Sequence, residues 1–190
     1  MPSPAHARSP LDELLERGED ARLEIVGGEL CAVETSGEHA DAQLGVGTAV
    51  RSTYHRRPSD EGPPGGWWSY VEPTIQLSLR DVYRPDLAGW RRDRLPERPV
   101  GFPIHHVPDW VCEVLSPGNA RHDLVQKRRA YHAAKVGYYW IVDPSREEVT
   151  VLRWTLEGYT IVEVDAEDGV LRLPPFPAAP IVLAELFGKA

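Results

Sequence analysis

Between Pro108 and Pro144 the spacing of apolar residues changes period twice. DWVCEVL (109–115) is rich in β-branched and aromatic residues and stops at Ser116-Pro117-Gly118-Asn119, which predicts a buried strand and a turn. Leu124, Tyr131 and Ala134 then recur at helical spacing. They predict a helix from about Arg121 or His122 to before Gly137, with Asn119 as N-cap and Gly137 as the stop. YYWIVD (138–143) reads as a second strand, so the stretch is a βαβ unit whose helix lies back over the sheet. Two charged residues break the apolar pattern. Strand alternation puts Trp110, Cys112 and Val114 on one face and Val111, Glu113 and Leu115 on the other, which aims Glu113 into an apolar layer. Lys127 falls on the apolar stripe of the helix and points toward the same sheet. An unpartnered buried carboxylate is costly or takes up a proton, so the two charges call for each other. The plainer alternatives are a strand-end Glu113 that reaches water or an arginine, and a surface pair between Asp123 and Lys127.

The same patterns organise the rest of the chain. LDELLER, starting near Ser9-Pro10, predicts a short amphipathic helix, and LEIVGGELCAVE predicts two strands joined at Gly27-Gly28. Residues His39 to about Tyr54 read as a helix broken at Gly45 and Gly47, and 56–66 as an exposed Pro/Gly loop. WWSYVEP, TIQLSL and VYRPDLAGW are strand-like, as are 148–154 and 159–164, which suits the edge of a mixed sheet. In the tail, Ile181, Leu183 and Leu186 predict a last short helix. No repeat is present, and residues 1–190 suit one domain with a sizeable core.

Composition narrows the classes. With 42% apolar and 26% charged residues the chain is globular rather than disordered. No apolar run approaches the roughly 20 residues that span a bilayer, and no apolar signal core opens the chain, so a cytoplasmic protein is expected. Cys31 and Cys112 lie in strand-like segments, which predicts free buried thiols, and no Cys/His spacing suggests zinc. His39, His55, His105 and His106 show no pairing by spacing and read as surface or capping residues. The net charge of −8 argues against a nucleic-acid partner, but the bases are clustered. Residues 119–135 hold five basic residues against Asp123 alone, and 80–98 hold six arginines. A local basic rim can bind phosphates on an acidic protein.

Asp86 follows Pro85 near a short apolar stretch, and Glu113 sits in another strand. If those strands are neighbours, the two carboxylates can share one hard cation, with Glu72 of VEP joining them. Magnesium needs only one or two carboxylates besides water and phosphate. Taken alone, Asp86 also suits a turn, as does Asp109 after Pro108.

The series WW-x-x-x-E-P, RPDLAGWRR, PDWVCEVLSP, D-x-x-x-K and WIVDP resembles the putative restriction endonuclease family of the Uma type, within the PD-(D/E)XK nuclease superfamily, over about residues 22–165. The resemblance implies an α/β fold, a restriction endonuclease-like core with a mixed β-sheet flanked by helices. It implies a magnesium-dependent endonuclease acting on DNA, with manganese as a substitute, and by analogy a homodimer. Asp86 would be the aspartate of the PD half, Glu113 the acid of the second half, and Lys127 the catalytic lysine moved from strand to helix. On that reading Asp86, Glu113 and the backbone carbonyl of Val114 hold the metal, Lys127 orients or deprotonates the water, and Glu72 and Asp123 support them. The chain departs from the pattern at Leu115, where the simple motif has lysine, and at Gly118-Asn119, where relatives carry small hydroxyl residues. The alternatives are a catalytically weak nucleic-acid-binding or interaction module on the same fold, and a nuclease for RNA or branched DNA.

Overall fold

A six-stranded mixed sheet carries the βαβ unit at its centre. The computed structural model describes residues 8–33, 35–60, 62–116, 120–164 and 166–189, with the side chains of 120–123 outside the description. Helix α1 (Pro10–Arg17) leads through a 3-10 turn (Glu19–Ala21) to β1 (Leu23–Val26), β2 (Glu29–Ala32) and helix α2 (Gly37–Tyr54). Strands β3 (Trp67–Val71), β4 (Ile75–Gln76), β5 (Val82–Tyr83), β6 (Leu87–Arg91) and β7 (Trp110–Val114) follow. Then come α3 (Ala120–Ala133), β8 (Tyr138–Asp143), β9 (Glu148–Thr155), β10 (Gly158–Val162), β11 (Val170–Leu171), β12 (Ile181–Val182) and α4 (Leu183–Leu186). The large sheet has the order β10-β9-β8-β7-β6-β3, and β7 and β8 run parallel while its other pairs are antiparallel. A smaller antiparallel sheet, β2-β1-β5-β4, lies beside it.

The alternation predicted for β7 is the division between two cores. Trp110, Cys112 and Val114 pack with Val46, Val50 and Phe176 on the α2 side, whereas Val111 packs with Tyr131, Tyr139 and Trp90 on the α3 side. Phe176 anchors the tail under the first face, its ring centroid 4.7 Å from that of Trp67 and 4.8 Å from that of Trp110. Both faces of β7 are thus covered, which makes a charge on it a buried charge.

Local signals account for the smaller elements. Ser9 caps α1, accepting from the Asp12 amide while Asp12 reaches back to the Ser9 amide. Gly27 and Gly28 have φ of 61° and 94°, which the two-residue turn between β1 and β2 requires. Three expectations fail. Helix α2 is not broken at Gly45 and Gly47 but runs for 18 residues. A Cβ on Gly45 would lie 3.5 Å from Leu186, and one on Gly47 only 3.3 Å from Leu87, so these glycines serve close approach. Each costs the helix about 1 kcal/mol relative to alanine, offset by burial of Ala42, Val46, Val50 and Tyr54. Cys31 is exposed rather than buried, because β2 is an edge strand, whereas Cys112 is buried as expected. Ile181 pairs in β12 instead of joining the last helix. Asn119 lies outside the described residues. Among those described, no helix is long and apolar enough to cross a membrane.

Candidate active site

The site forms where the ladder between β6 and β7 runs out. That ladder ends at Leu87↔Cys112, and Pro85, next in line to face Val114, has no N–H to continue it. The Val114 amide turns to a side chain instead and donates to Asp86 Oδ2 at 2.6 Å. Asp86, immediately before β6, is 5% exposed. Its other oxygen is 2.8 Å from His39 Nε2, in the first turn of α2. A carboxylate only accepts, so Nε2 carries the proton; in the neutral ring Nδ1 then accepts from Ser116 Oγ, 3.1 Å away.

Glu113 projects from β7 toward α3, as alternation predicts. The Tyr131 hydroxyl donates to its Oε1 at 2.7 Å, and the Lys127 ammonium donates to its Oε2 at 3.3 Å. Lys127 also donates to Glu24 Oε1 at 3.0 Å. Because Tyr131 follows Lys127 by one helical turn, one face of α3 supplies both donors. The backbone N–H of Arg84 completes the set, donating to Glu24 Oε1 at 2.6 Å. Lys127, Glu24 and Glu113 are all buried.

Charge in this cluster is uneven. The buried carboxylates of Glu24 and Glu113 pair with the Lys127 ammonium, while buried Asp86 pairs with His39. Burial first, then the charges of Asp86 and Glu24, push the Glu113 carboxyl up to about 8, although Lys127 and the Tyr131 hydroxyl pull the other way. Burial also pushes the Tyr131 phenol up, which keeps it a donor.

Glu72 stands one layer outside. Its N–H donates to the Asp86 carbonyl at 3.0 Å, and Gln43 Nε2 donates to the same carbonyl at 3.0 Å. The Glu72 side chain pairs with Arg22 at 3.0 Å and Arg84 at 3.4 Å. It does so from a left-handed backbone with φ of 47°, a conformation that costs a non-glycine residue about 1 kcal/mol or more and persists only when its surroundings enforce it.

Asp86, Glu113 and Lys127 are therefore gathered, with Glu72 behind Asp86; the side chain of Asp123 lies outside the described residues. Asp109 serves structure, accepting from the Arg91 amide and Arg94 Nε at 2.8 Å each. Two members escaped the sequence reading. His39, taken as a surface or capping residue, is 4% exposed against Asp86, and Glu24 is equally buried against Lys127. Glu24 is, like Glu113, an acid among apolar strand residues, but in a strand of only four residues, LEIV.

Among the described residues no three Asp, Glu, His or Cys side chains converge as a ready metal cage. The donor set nevertheless fits a hard divalent cation. It offers carboxylate oxygens in excess of buried cations, and magnesium keeps several waters and takes one or two protein carboxylates. The N–H and C=O of a strand residue point to the same edge, so the Val114 carbonyl shares the rim to which its amide holds Asp86.

A family described as "Putative restriction endonuclease" (Uma2) matches residues 10–183. The fold is similar to that of a crystal structure described as a putative nuclease belonging to DUF820 from Anabaena variabilis ATCC 29413. The TM-score is 0.75 at 16% identity, covering 96% of this chain and 99% of that one. No curated protein matches the sequence.

Proposed function

Because the chain belongs to the Uma2 family of putative restriction endonucleases, we propose that it is a metal-dependent endonuclease of the PD-(D/E)XK type that hydrolyses DNA phosphodiester bonds around Lys127. The observation that carries this reading is a lysine buried between two carboxylates, Glu24 and Glu113, in a cluster with excess negative charge. Asp86, Glu113 and the Val114 carbonyl would hold magnesium, or manganese in its place, which when bound polarises the phosphate and acidifies water. The chain's own residues do the rest. His39 and the Val114 amide fix the Asp86 carboxylate, and the Tyr131 hydroxyl fixes Glu113. Lys127 orients the attacking water and takes or returns its proton, a role suited to a lysine with low exposure. Glu72 and Gln43 hold the Asp86 backbone, and Asp123 lies one turn before Lys127.

Plasmid nicking with and without magnesium tests this. Lys127→Ala or Glu113→Gln should abolish metal-dependent nicking while the circular dichroism of the fold is kept; nicking retained in either variant removes that residue from the reaction. A homodimer is the proposed assembly, since cutting both strands of a duplex needs two sites, and light scattering decides it. A second reading rests on the net charge of −8 and on Leu115, which stands where the simple motif has lysine. It is a module that binds nucleic acid without turnover, which would show magnesium-independent, salt-sensitive binding and no nicking.

A further inference from the structure

Strand β3 is an edge of the six-stranded sheet, and side chains rather than a neighbouring strand occupy its free backbone groups. Arg51 donates to the Ser69 carbonyl at 3.2 Å, Arg92 Nε donates to the Trp67 carbonyl at 3.0 Å, and the Ser69 amide donates to His55 Nδ1 at 2.9 Å. The Arg92 guanidinium lies over the Trp68 ring, 3.4 Å from its centroid, and Arg98 Nε donates to the Tyr70 hydroxyl at 2.9 Å. Beside this edge lies a cleft of about 450 Å³, lined by Arg51, His55, Trp68, Tyr70, Thr74 and Arg98 among others. Its size is in the range of ligand pockets.

Three observations set it apart from an edge merely capped by arginines. None of Arg51, Arg57, Arg92 and Arg98 forms a salt bridge to a carboxylate among the described residues, although the chain carries a net charge of −8. Their charges reinforce one another. After burial, Arg51, Arg92 and Arg98 are what hold the His55 imidazole below its ordinary range, and the Arg57 charge likewise lowers Arg92. Thr74, 3% exposed and lining the cleft, has a buried hydroxyl with no hydrogen-bond partner among the described residues. A donor buried without an acceptor is costly, and an anion in the cleft would relieve both the charge repulsion and the orphaned hydroxyl.

We propose that this cleft binds the phosphodiester backbone of a nucleic-acid strand, with the Arg51 and Arg98 guanidinium groups and the Thr74 hydroxyl as its donors. The proposal rests on the nuclease reading and names where that site's substrate continues. Pro73 and Val71, which line the cleft, flank Glu72, whose N–H is bonded to the Asp86 carbonyl. A strand seated here therefore runs out from the Asp86 cluster along β3. Exposed Glu19 is also in the lining, and its carbonyl accepts from Arg84 at 2.9 Å.

The test is fluorescence anisotropy of the full chain with a labelled 30-base-pair duplex and with one of its strands, in chelator to prevent cutting, across a salt series. The Arg51→Gln/Arg98→Gln double variant should bind at least tenfold more weakly. Its slope of log affinity on log salt should fall by about 0.9 per lost contact on duplex or about 0.7 on single strand, which tells the two forms apart. Thr74→Val should fold with unchanged or raised midpoint, because it removes only the orphaned hydroxyl, and should bind about tenfold more weakly through loss of one hydrogen bond to a charged group. Wild-type affinity and slope in all these variants, or no binding of either probe by the wild type, would overturn the cleft. Plasmid nicking on the same preparations separates the two ideas: binding lost in the variants with no nicking by the wild type ends the hydrolysis reading and leaves the cleft. Nicking by the wild type with unchanged binding in the variants does the reverse.

Discussion

Glu113→Gln should stabilise the metal-free protein at neutral and alkaline pH. The Glu113 carboxyl is raised from 4.5 to about 8, with burial as the first cause. Between those values the folded chain holds a proton that the unfolded chain has released. Folding stability therefore falls as pH rises across that window, and is flat below and above it. At about 1.4 kcal/mol per pH unit, the full penalty is about 5 kcal/mol above pH 8 and about 3 kcal/mol at pH 7. The side chain is only 9% exposed, so solvent screening takes little from this. An amide has no proton to lose, and it can still accept from Tyr131 or Lys127. The value of about 8 already includes the pull of Lys127, which keeps Glu24 as its partner in the variant. The assay is urea unfolding in chelator from pH 5 to pH 9, reading the difference between variant and wild type. That difference should climb toward the variant by about 1.4 kcal/mol per unit and level off near pH 8. A flat difference, or one that climbs toward the wild type, would refute the account of the buried charge. Magnesium should flatten the wild-type curve, since a cation on Glu113 keeps it ionised, and magnesium affinity should rise with pH up to the same point.

Other outcomes follow from the same packing. Lys127→Met leaves Glu24 and Glu113 buried without their ammonium partner, and should cost about 3–5 kcal/mol at pH 8. Lys127 pulls the Glu113 carboxyl down, so without it Glu113 takes up its proton more readily and the cost should shrink toward pH 5; a loss independent of pH in urea unfolding would contradict this. Phe176→Ala opens a cavity under the face of the sheet opposite Glu113 and should lower stability by about 3–5 kcal/mol in the same assay. Nicking per folded molecule should survive it, and a proportional loss of nicking would mean that the tail packing positions the site.

The βαβ unit was legible because its hydrophobic period switches from 2 to 3.6 and back, and Glu113 and Lys127 stood out as breaks in that pattern. Their partners could not be read the same way. Glu24 meets Lys127 across 103 positions and His39 meets Asp86 across 47, so their pairing depends on how the small sheet and α2 are laid against the large one. In a four-residue strand such as LEIV, one acid between apolar residues is too short a pattern to separate a buried face from an exposed edge. The glycines of α2 misled for a related reason. Intrinsic propensity marks them as breaks, but the contacts they permit, with Leu87 and Leu186, exist only in the assembled fold.

The distribution of charge also explains why phosphate docking and metal holding would occupy different places. An arginine near the acid cluster is consumed by it: Arg22 and Arg84 are both bound to Glu72, and the Arg84 backbone serves Glu24. Beyond Glu72, beside β3, Arg51, Arg57, Arg92 and Arg98 form no salt bridge among the described residues and stay available to a polyanion. Phosphates entering that cleft would shed counterions there, while the surplus negative charge around Asp86 and Glu113 is left to a divalent ion. Such a division would let a chain of net charge −8 bind a nucleic acid without giving up the carboxylates that the proposed hydrolysis requires. Its consequence is measurable. The salt dependence of binding should follow Arg51 and Arg98 beside β3 and be insensitive to Glu113→Gln, whereas the magnesium dependence of cleavage should follow Glu113 and Asp86.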